Sequence, residues 1–321
     1  MVELIAAPFD LGGKSRGAAL GPAAILHTGI ADELTELTGE RVHVTKLSAA
    51  AHPSRHRFGI KHRTGCLTAM RAVRKAIERS LNQGHTPVLL GGDHSLASAS
   101  VSAALDHFGK DTFVLWVDAH TDLNTSATSP SGHMHGMPVA ILARRHADGG
   151  PSATHRRIWD AILDEFSPKV PLDSDHVGWI GLRDVDPGEL EWLKEQKRRF
   201  AATMDDIDQY GINGVLGMFV KWTHHERPKV WVSFDVDSFD PILAPGTGTA
   251  VRGGLTYREG NWLAEMLCQL HTAKKIELVG ADIVEVNPCI DQNNQTAVVA
   301  AEWIGSLFGK RILRGLDGIV D

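Results

Sequence analysis

The feature that most constrains the fold of this chain is the alternation of short apolar runs with helical patterns. Between the runs, apolar residues recur at helical spacing, as they do in 64–83. This alternation is typical of a parallel sheet with crossover helices on both faces. We therefore predict an α/β fold with three layers, α/β/α, around a mostly parallel sheet. The expected strands are 2–8, 42–47, 87–90, 112–117, 176–182, 229–234 and 276–284, and the expected helices are 21–34, 64–83, 95–108, 187–197, 256–271 and 296–309.

The chain of 321 residues contains no Pro-Gly linker that would divide it. We therefore expect a single domain over 1–321, a size at which one large core is possible. The least regular segment is 146–175, which we interpret as an insertion made of a loop and a helix.

Composition excludes several classes of protein. The net charge is -6 and no basic stripe is present, so nucleic acid is not an expected partner. No stretch reaches the roughly 18 apolar residues of a membrane span, so no membrane association is expected. The first residues resemble no signal peptide, and three cysteines outside any CxxC pair do not form a disulfide framework. A cytoplasmic protein is the resulting expectation.

Acidic and histidine residues directly follow three of the predicted strands. GGDHS (91–95), DAHTD (118–122) and DVD (235–237) each stand at a strand end. Ligands bind beyond the carboxyl ends of strands in open α/β sheets, so the three motifs should meet on one rim. Residues two apart in an extended segment also share a face. The side chains expected to converge are His94, Asp118, His120, Asp122, Asp235 and Asp237.

Four carboxylates at close range repel one another unless cations neutralise them. An isolated DxD is more often a loop feature, but three such motifs at three strand ends favour two divalent cations. The oxygen and nitrogen donors, without thiolate, suit manganese, with cobalt, nickel or iron as substitutes. Two cations roughly 3.5–4 Å apart can share a water and lower its pKa toward about 7, which gives a bridging hydroxide.

Four carboxylates, two divalent cations and one hydroxide sum to a formal charge of about -1. A site with a negative charge favours a cationic substrate over a phosphate ester. Glu285 follows the last predicted strand on the same rim and could accept a guanidinium fork. A glutamate in this place could equally be a helix cap or a surface residue.

Several motifs together resemble the ureohydrolase family, and its arginase branch in particular. They are GGDHS, DAHTDLN, SGHMHGMP, GLRDVDPGE, SFDVDSFDP, APGTGT, GGLTYRE and VEVNP. They occur in order over most of the chain, starting from IAAPFDLGGKSRGAALGP. The resemblance implies a three-layer α/β/α fold, two Mn²⁺ ions per chain, and hydrolysis of L-arginine to L-ornithine and urea by a metal-bridging hydroxide. It also implies a homo-oligomer, either a trimer or a hexamer.

The resemblance further implies a role for each matching residue. One manganese ion is held by His94, Asp118, Asp122 and Asp235, and the other by His120, Asp118, Asp235 and Asp237. Asp122 orients the hydroxide, His135 corresponds to a proton-shuttle histidine, and Glu285 to a guanidinium-binding glutamate. The residues that correspond to substrate contacts are Asn124, Ser131, His133, Asp186, Glu189 and Thr249.

The sequence leaves the substrate open. His133 stands where arginases usually have asparagine, and APGTGT resembles agmatinases at least as much as arginases. RDVDPGE is more typical of arginases. The alternatives are a hydrolase of agmatine or of a guanidino acid such as 4-guanidinobutyrate, and a metal-binding relative without activity. The complete set of metal ligands argues against the last of these.

Overall fold

An eight-stranded sheet forms the centre of the structure, a computed structural model that describes residues 1–48, 53 and 59–311. All pairings between neighbouring strands are parallel. The strands are β1 (Val2–Ala6), β2 (His43–Lys46), β3 (Thr86–Leu90), β4 (Thr112–Val117), β5 (Val177–Leu182), β6 (Phe200–Thr203), β7 (Lys229–Asp235) and β8 (Glu277–Val284). Their order across the sheet is β2-β1-β3-β8-β7-β4-β5-β6.

Helices cover both sides of this sheet. In chain order they are α1 (Gly21–His27), α2 (Ile30–Thr38), α3 (Arg63–Asn82), α4 (Ala97–Phe108), α5 (Pro138–Leu142), α6 (Ala153–Phe166), α7 (Pro187–Glu195), α8 (Met204–Trp222), α9 (Tyr257–Thr272) and α10 (Gln295–Leu307). One core contains apolar residues of α1, α2, α8, α9 and α10, and a second contains those of α3, α4, α5 and α6. The predicted three-layer fold is therefore confirmed.

Strand β4 shows how the sheet separates the two cores. Phe113, Leu115 and Val117 belong to the first core, whereas Val114 and Trp116 belong to the second. Successive side chains of a strand point to opposite faces, so a continuous apolar run supplies both layers. The same property explains why this strand is recognisable in the sequence as an unbroken apolar run.

Helix α3 shows how one sequence pattern builds a layer. Its buried residues Cys66, Met70, Val73, Ile77 and Leu81 recur at intervals of three or four and pack in the second core. This spacing places them on one helix face. Each buried side chain of this kind contributes on the order of 1.5–3 kcal/mol to folding.

The structure confirms all seven predicted strands, corrects one expected helix and contains elements that were not predicted. The helix expected over 21–34 is two helices, because Gly29 adopts a positive φ of 87° between α1 and α2. Strand β6 and helices α5 and α8 were not predicted. The segment 146–175 does contain a helix, α6, as expected. Among the helices that the structure describes, none is both long and apolar enough to cross a membrane.

Candidate metal centre and active-site cleft

The three motifs with acidic and histidine residues meet at the carboxyl edge of the sheet. They follow β3, β4 and β7, of which β4 and β7 are neighbours and β3 is separated from β7 by β8. The turn after β3 approaches the segment after β1 so closely that a Cβ on Gly92 would lie 1.5 Å from the carbonyl oxygen of Phe9. Only glycine fits this position, and its close approach brings the His94 turn beside the other two motifs.

One group of ligand-type atoms surrounds the imidazole of His94. Its Nδ1 lies 3.1 Å from Oδ2 of Asp118, of Asp122 and of Asp235. These four side chains are buried. Within the described residues, neither His94 Nδ1 nor Asp122 Oδ2 has a hydrogen-bond partner. Buried polar atoms are nearly always satisfied, so atoms that converge without hydrogen bonds indicate a place for a cation.

A second group lies beside the first and shares one of its carboxylates. His120 Nδ1 is 3.2 Å from Asp118 Oδ1 and 3.1 Å from Asp237 Oδ2. Asp237 Oδ2 also accepts a hydrogen bond of 2.8 Å from the Thr249 hydroxyl. Asp118 directs one oxygen to each group, which is the arrangement that a carboxylate bridging two cations requires. The structure thus brings together all six side chains of the predicted metal centre.

The charges of this cluster call for cations. Burial raises the pKa of Asp122 to about 6, and the charge of Asp118 adds to the rise. Burial, together with Asp237 and Asp118, raises the pKa of Asp235 well above its usual range. Carboxylates whose pKa values are raised by burial and by one another are stabilised when divalent cations offset their charge. The donor set therefore fits two divalent ions.

The second nitrogen of His94 is held by a buried chain of hydrogen bonds. His94 Nε2 lies 2.9 Å from the Ser233 hydroxyl, which in turn donates to Asp282. Burial raises the pKa of Asp282, but donors from Ser233, Trp231 and Ser100 favour its ionised form. Since Asp282 accepts the Ser233 proton, the Ser233 oxygen accepts from His94 Nε2–H. The lone pair of His94 is then on Nδ1, which faces the carboxylates.

A cleft of about 290 Å³ opens above the cluster. Six residues with predicted catalytic or substrate-binding roles, none of them a predicted metal ligand, line this cleft: Asn124, Ser131, His135, Asp186, Glu189 and Thr249. His133 and Glu285 do not line the cleft. They lie behind it, and each contacts a neighbouring side chain instead.

Glu285 lies behind His135. Its Oε1 is 3.0 Å from His135 Nδ1 and accepts a hydrogen bond of 2.8 Å from the backbone N–H of His94. Burial lowers the pKa of His135, but the nearby Glu285 carboxylate outweighs burial and raises it. Burial raises the pKa of Glu285, but His135 outweighs it and the net shift is downward. The carboxylate can only accept, so His135 Nδ1 carries a proton and Nε2 remains for the cleft.

Two site residues have strained backbones. Asp122 has a φ of 52° and Glu285 a φ of 64°, both in the left-handed region. Residues other than glycine rarely adopt this region, which costs on the order of 1–3 kcal/mol, and such strain concentrates at functional sites. Here the left-handed backbone directs the Asp122 carboxylate to the metal cluster and the Glu285 carboxylate to His135.

The other end of the cleft is built around α7. The Asn124 amide donates a hydrogen bond of 2.8 Å to Asp186 Oδ2. Glu189 accepts hydrogen bonds from the backbone N–H of Leu123, at 2.8 Å, and of Asp186, at 3.1 Å. Burial, and after it the charge of Asp122, raises the pKa of Glu189 to about 7. Glu189 therefore connects the Asn124 segment to the start of α7.

Comparisons with known proteins agree with this geometry. A family model described as "Arginase family" matches residues 1–309. The chain is 33% identical to the arginase of Bacillus caldovelox over 97% of this chain and 99% of the relative. It is 35% identical to the arginase of Staphylococcus aureus (strain COL) over 97% and 98%. The solved structure of the Bacillus caldovelox arginase matches with a TM-score of 0.82, at 32% identity, over 97% and 99% of the two chains.

The chain belongs to the arginase family. The resemblance inferred from the sequence is thus confirmed, and the protein is a hydrolase of the ureohydrolase type. The family implies a binuclear metal site, and the His/Asp groups described above could hold metal. The individual roles given to the site residues stay predictions.

His133, where arginases usually have asparagine, is buried rather than directed into the cleft. Its Nε2 lies 3.0 Å from the Lys61 ammonium, which can only donate. Burial, and after it the positive charge of Lys61, lowers the pKa of His133 to about 4. The imidazole is therefore neutral at pH 7. Its backbone N–H donates to the Ser131 hydroxyl at 3.2 Å, so His133 contacts a residue that lines the cleft.

Two charged residues that line the cleft, Lys14 and Asp184, were not assigned by the sequence analysis. Asp184 lies at the mouth, with Oδ2 3.7 Å from His120 Nε2. Lys14 lies on the segment that follows β1. Both occur inside motifs that carried the family resemblance, GLRDVDPGE and FDLGGKSRG. Nothing in the spacing of those motifs distinguishes a lysine at the mouth of a cleft from one on an open surface.

Proposed function

We propose that this protein hydrolyses the guanidino group of L-arginine to L-ornithine and urea. The observation that carries the proposal is the pair of His/Asp groups that share Asp118 at the base of a cleft with amino-acid-type contacts at its mouth. The relatives at 33% and 35% identity are named arginases, which supports the same substrate. Agmatine and guanidino acids are the alternatives that the experiment below separates.

The proposed cofactors are two Mn²⁺ ions per chain, held by the six residues in the two groups described above. The oxygen and imidazole donors, without thiolate, support manganese. Bound there, the two ions would supply a hydroxide at neutral pH by lowering the pKa of a shared water. Side chains of the protein would bind and orient the substrate and move the protons.

Four side chains would act on the guanidino group. Asp122, whose Oδ2 has no hydrogen-bond partner in the described part of the chain, would orient the attacking hydroxide and accept its proton. The Thr249 hydroxyl stands beside Asp237 near the reacting carbon. His135 presents Nε2 to the cleft and delivers the proton that the leaving amine needs, while Glu285 holds the proton on Nδ1. Glu285 lies behind His135, so it can bind the guanidinium only if this group of the substrate passes His135.

The amino-acid end of the substrate would bind at the opposite part of the cleft. Asp186 and Glu189 are the acidic groups there, and they suit an α-ammonium. Asn124 and Ser131 offer neutral hydrogen-bonding groups for the α-carboxylate. His133 would act through Ser131, whose hydroxyl accepts the His133 N–H.

We also propose a homo-oligomer, trimer or hexamer, in the cytoplasm. The family resemblance supports the oligomer. Free Cys66, Cys268 and Cys289 support a reducing compartment.

A substrate panel tests the function. Protein loaded with manganese is assayed for urea release from L-arginine, agmatine and 4-guanidinobutyrate, and its metal content is measured in parallel. We expect two manganese ions per chain and the highest kcat/KM on L-arginine. A preference for agmatine or 4-guanidinobutyrate would replace the proposed substrate with that compound. Metal binding without urea release from any of the three would reject the enzymatic proposal.

A further inference from the structure

Lys14 is a basic residue at the mouth of an otherwise acidic cleft. Among the described residues that line the cleft, it is the one lysine or arginine, whereas five are acidic: Asp122, Asp184, Asp186, Glu189 and Asp235. Its side chain is exposed, and within the described chain it makes no hydrogen bond or ion pair. The ammonium is therefore free to bind a ligand in the cleft.

The backbone that carries Lys14 is fixed by the active-site segments. The N–H of Gly12 donates to Asp93 Oδ2 at 2.8 Å, and its carbonyl accepts from the His135 N–H at 3.1 Å. On the other side of Lys14, the N–H of Gly17 donates to Asp10 Oδ2 at 2.8 Å. These bonds hold the segment against the His94 turn and the His135 segment. A fixed backbone with a free side chain reduces the entropy lost on binding.

The topology places Lys14 and the acidic end of the cleft on opposite sides of the metal centre. Lys14 follows β1, whereas Asp184 and Asp186 follow β5. In the sheet order, the strands β3, β7 and β4, which carry the metal-type residues, all lie between β1 and β5. The cleft is therefore positive at one flank and negative at the other. The α-carboxylate and the α-ammonium of an amino acid leave the same carbon in different directions. A substrate whose α-carbon lies between these two flanks would therefore direct its carboxylate toward Lys14 and its ammonium toward Asp186.

Asn124 and Ser131, the neutral residues proposed to contact the carboxylate, cannot replace the positive charge of Lys14. One amide N–H of Asn124 is already directed to Asp186, and its Oδ1 accepts from Thr128. Ser131 Oγ accepts from the His133 N–H. A substrate carboxylate in a cleft with five acidic residues needs a positive partner in addition to neutral donors. Lys14 is placed to provide it.

We propose that Lys14 binds the carboxylate of the substrate and so selects guanidino acids over decarboxylated guanidino amines. This inference rests on the proposed ureohydrolase function for its kinetic test, but a binding test measures it separately. A contact made equally in the ground and transition states changes KM and leaves kcat unchanged. A charge-assisted contact of this kind corresponds to about a tenfold change in affinity.

The kinetic test compares wild type with Lys14→Gln on three guanidino compounds that differ in one group each. They are L-arginine, agmatine, which lacks the carboxylate, and 5-guanidinopentanoate, which lacks the α-amino group. We expect KM to rise about tenfold for the two carboxylates, with kcat unchanged, and the agmatine parameters to stay at their wild-type values. Lys14→Arg should retain most of the affinity. Lys75→Gln, which removes an exposed lysine on α3 away from the cleft, is the matched control.

The binding test uses calorimetry with L-ornithine and 1,4-diaminobutane, which differ by the carboxylate alone. We expect Lys14→Gln to weaken L-ornithine about tenfold and to leave 1,4-diaminobutane unchanged. If the protein releases no urea but shows this difference, the proposed function fails and the role of Lys14 stands. Equal effects on ligands with and without a carboxylate, or no effect on either, would overturn the inference.

Discussion

Replacing Ser233 with alanine would break the buried link between His94 and Asp282. Ser233 accepts from His94 Nε2–H at 2.9 Å and donates to Asp282. Alanine has nearly the same volume, so the substitution removes the hydroxyl without opening a large cavity. His94 would lose the contact that keeps its proton on Nε2 and its lone pair on Nδ1, toward the metal position.

The expected loss has two parts. Partners that orient a metal-ligating histidine typically contribute about 10- to 100-fold in metal affinity, which corresponds to about 1.4–2.7 kcal/mol. The fold also loses stability, because His94 Nε2 and one Asp282 oxygen are left unsatisfied, at about 1–3 kcal/mol each. The other oxygen of Asp282, Oδ2, keeps its hydrogen bonds from Trp231, at 2.7 Å, and Ser100, at 3.0 Å, so the carboxylate stays partly stabilised. We therefore expect the lower part of this range, about 2–3 kcal/mol in total.

Two measurements separate these parts. Manganese affinity is obtained by competition with a chelator, and the free energy of unfolding of the metal-free protein is obtained from urea denaturation. Ser98→Ala is the matched control, since Ser98 is also fully buried but its hydroxyl has no hydrogen-bond partner in the described chain. The control should leave both quantities nearly unchanged. Wild-type manganese affinity in Ser233→Ala would refute the orienting role of the chain.

Two further predictions concern a catalytic proton and acid stability. His135→Gln should lower kcat by about 100-fold and keep the wild-type metal content, because the role proposed for His135 is proton transfer and it is not among the proposed metal ligands; loss of metal in this variant would contradict the assignment. Burial raises the pKa of Glu3, but hydrogen bonds from Thr45, His85 and Arg79 outweigh it and lower the pKa from 4.5 to about 2. A lowered pKa stabilises the fold above pH 4.5, and this contribution is lost as pH falls through about 2. Glu3→Gln should therefore cost about 3 kcal/mol at pH 7, and the difference from wild type should shrink between pH 4.5 and 2; a difference independent of pH would reject the ionic origin.

Strand β6 and helix α8, which the sequence did not predict, have physical explanations. Strand β6 has only four residues at the edge of the sheet, and most of them are not fully buried, so its apolar signal is weak. Helix α8 contains several glycines, and Gly211 interrupts it with a φ of 64°. Glycine lowers helix propensity and hides the apolar spacing, which in this helix is stabilised by packing in the first core.

The sequence by itself determined the sheet, the helical layers and the identity of the metal-type residues. These follow from local patterns, because strand periodicity and strand ends can be recognised in the chain order. Tertiary structure alone decided which atoms meet. Strand order in the sheet differs from chain order, so contacts such as His94 with Ser233, or Lys14 with the cleft, join distant segments. Register and packing between separate strands set those contacts, and no local pattern encodes them.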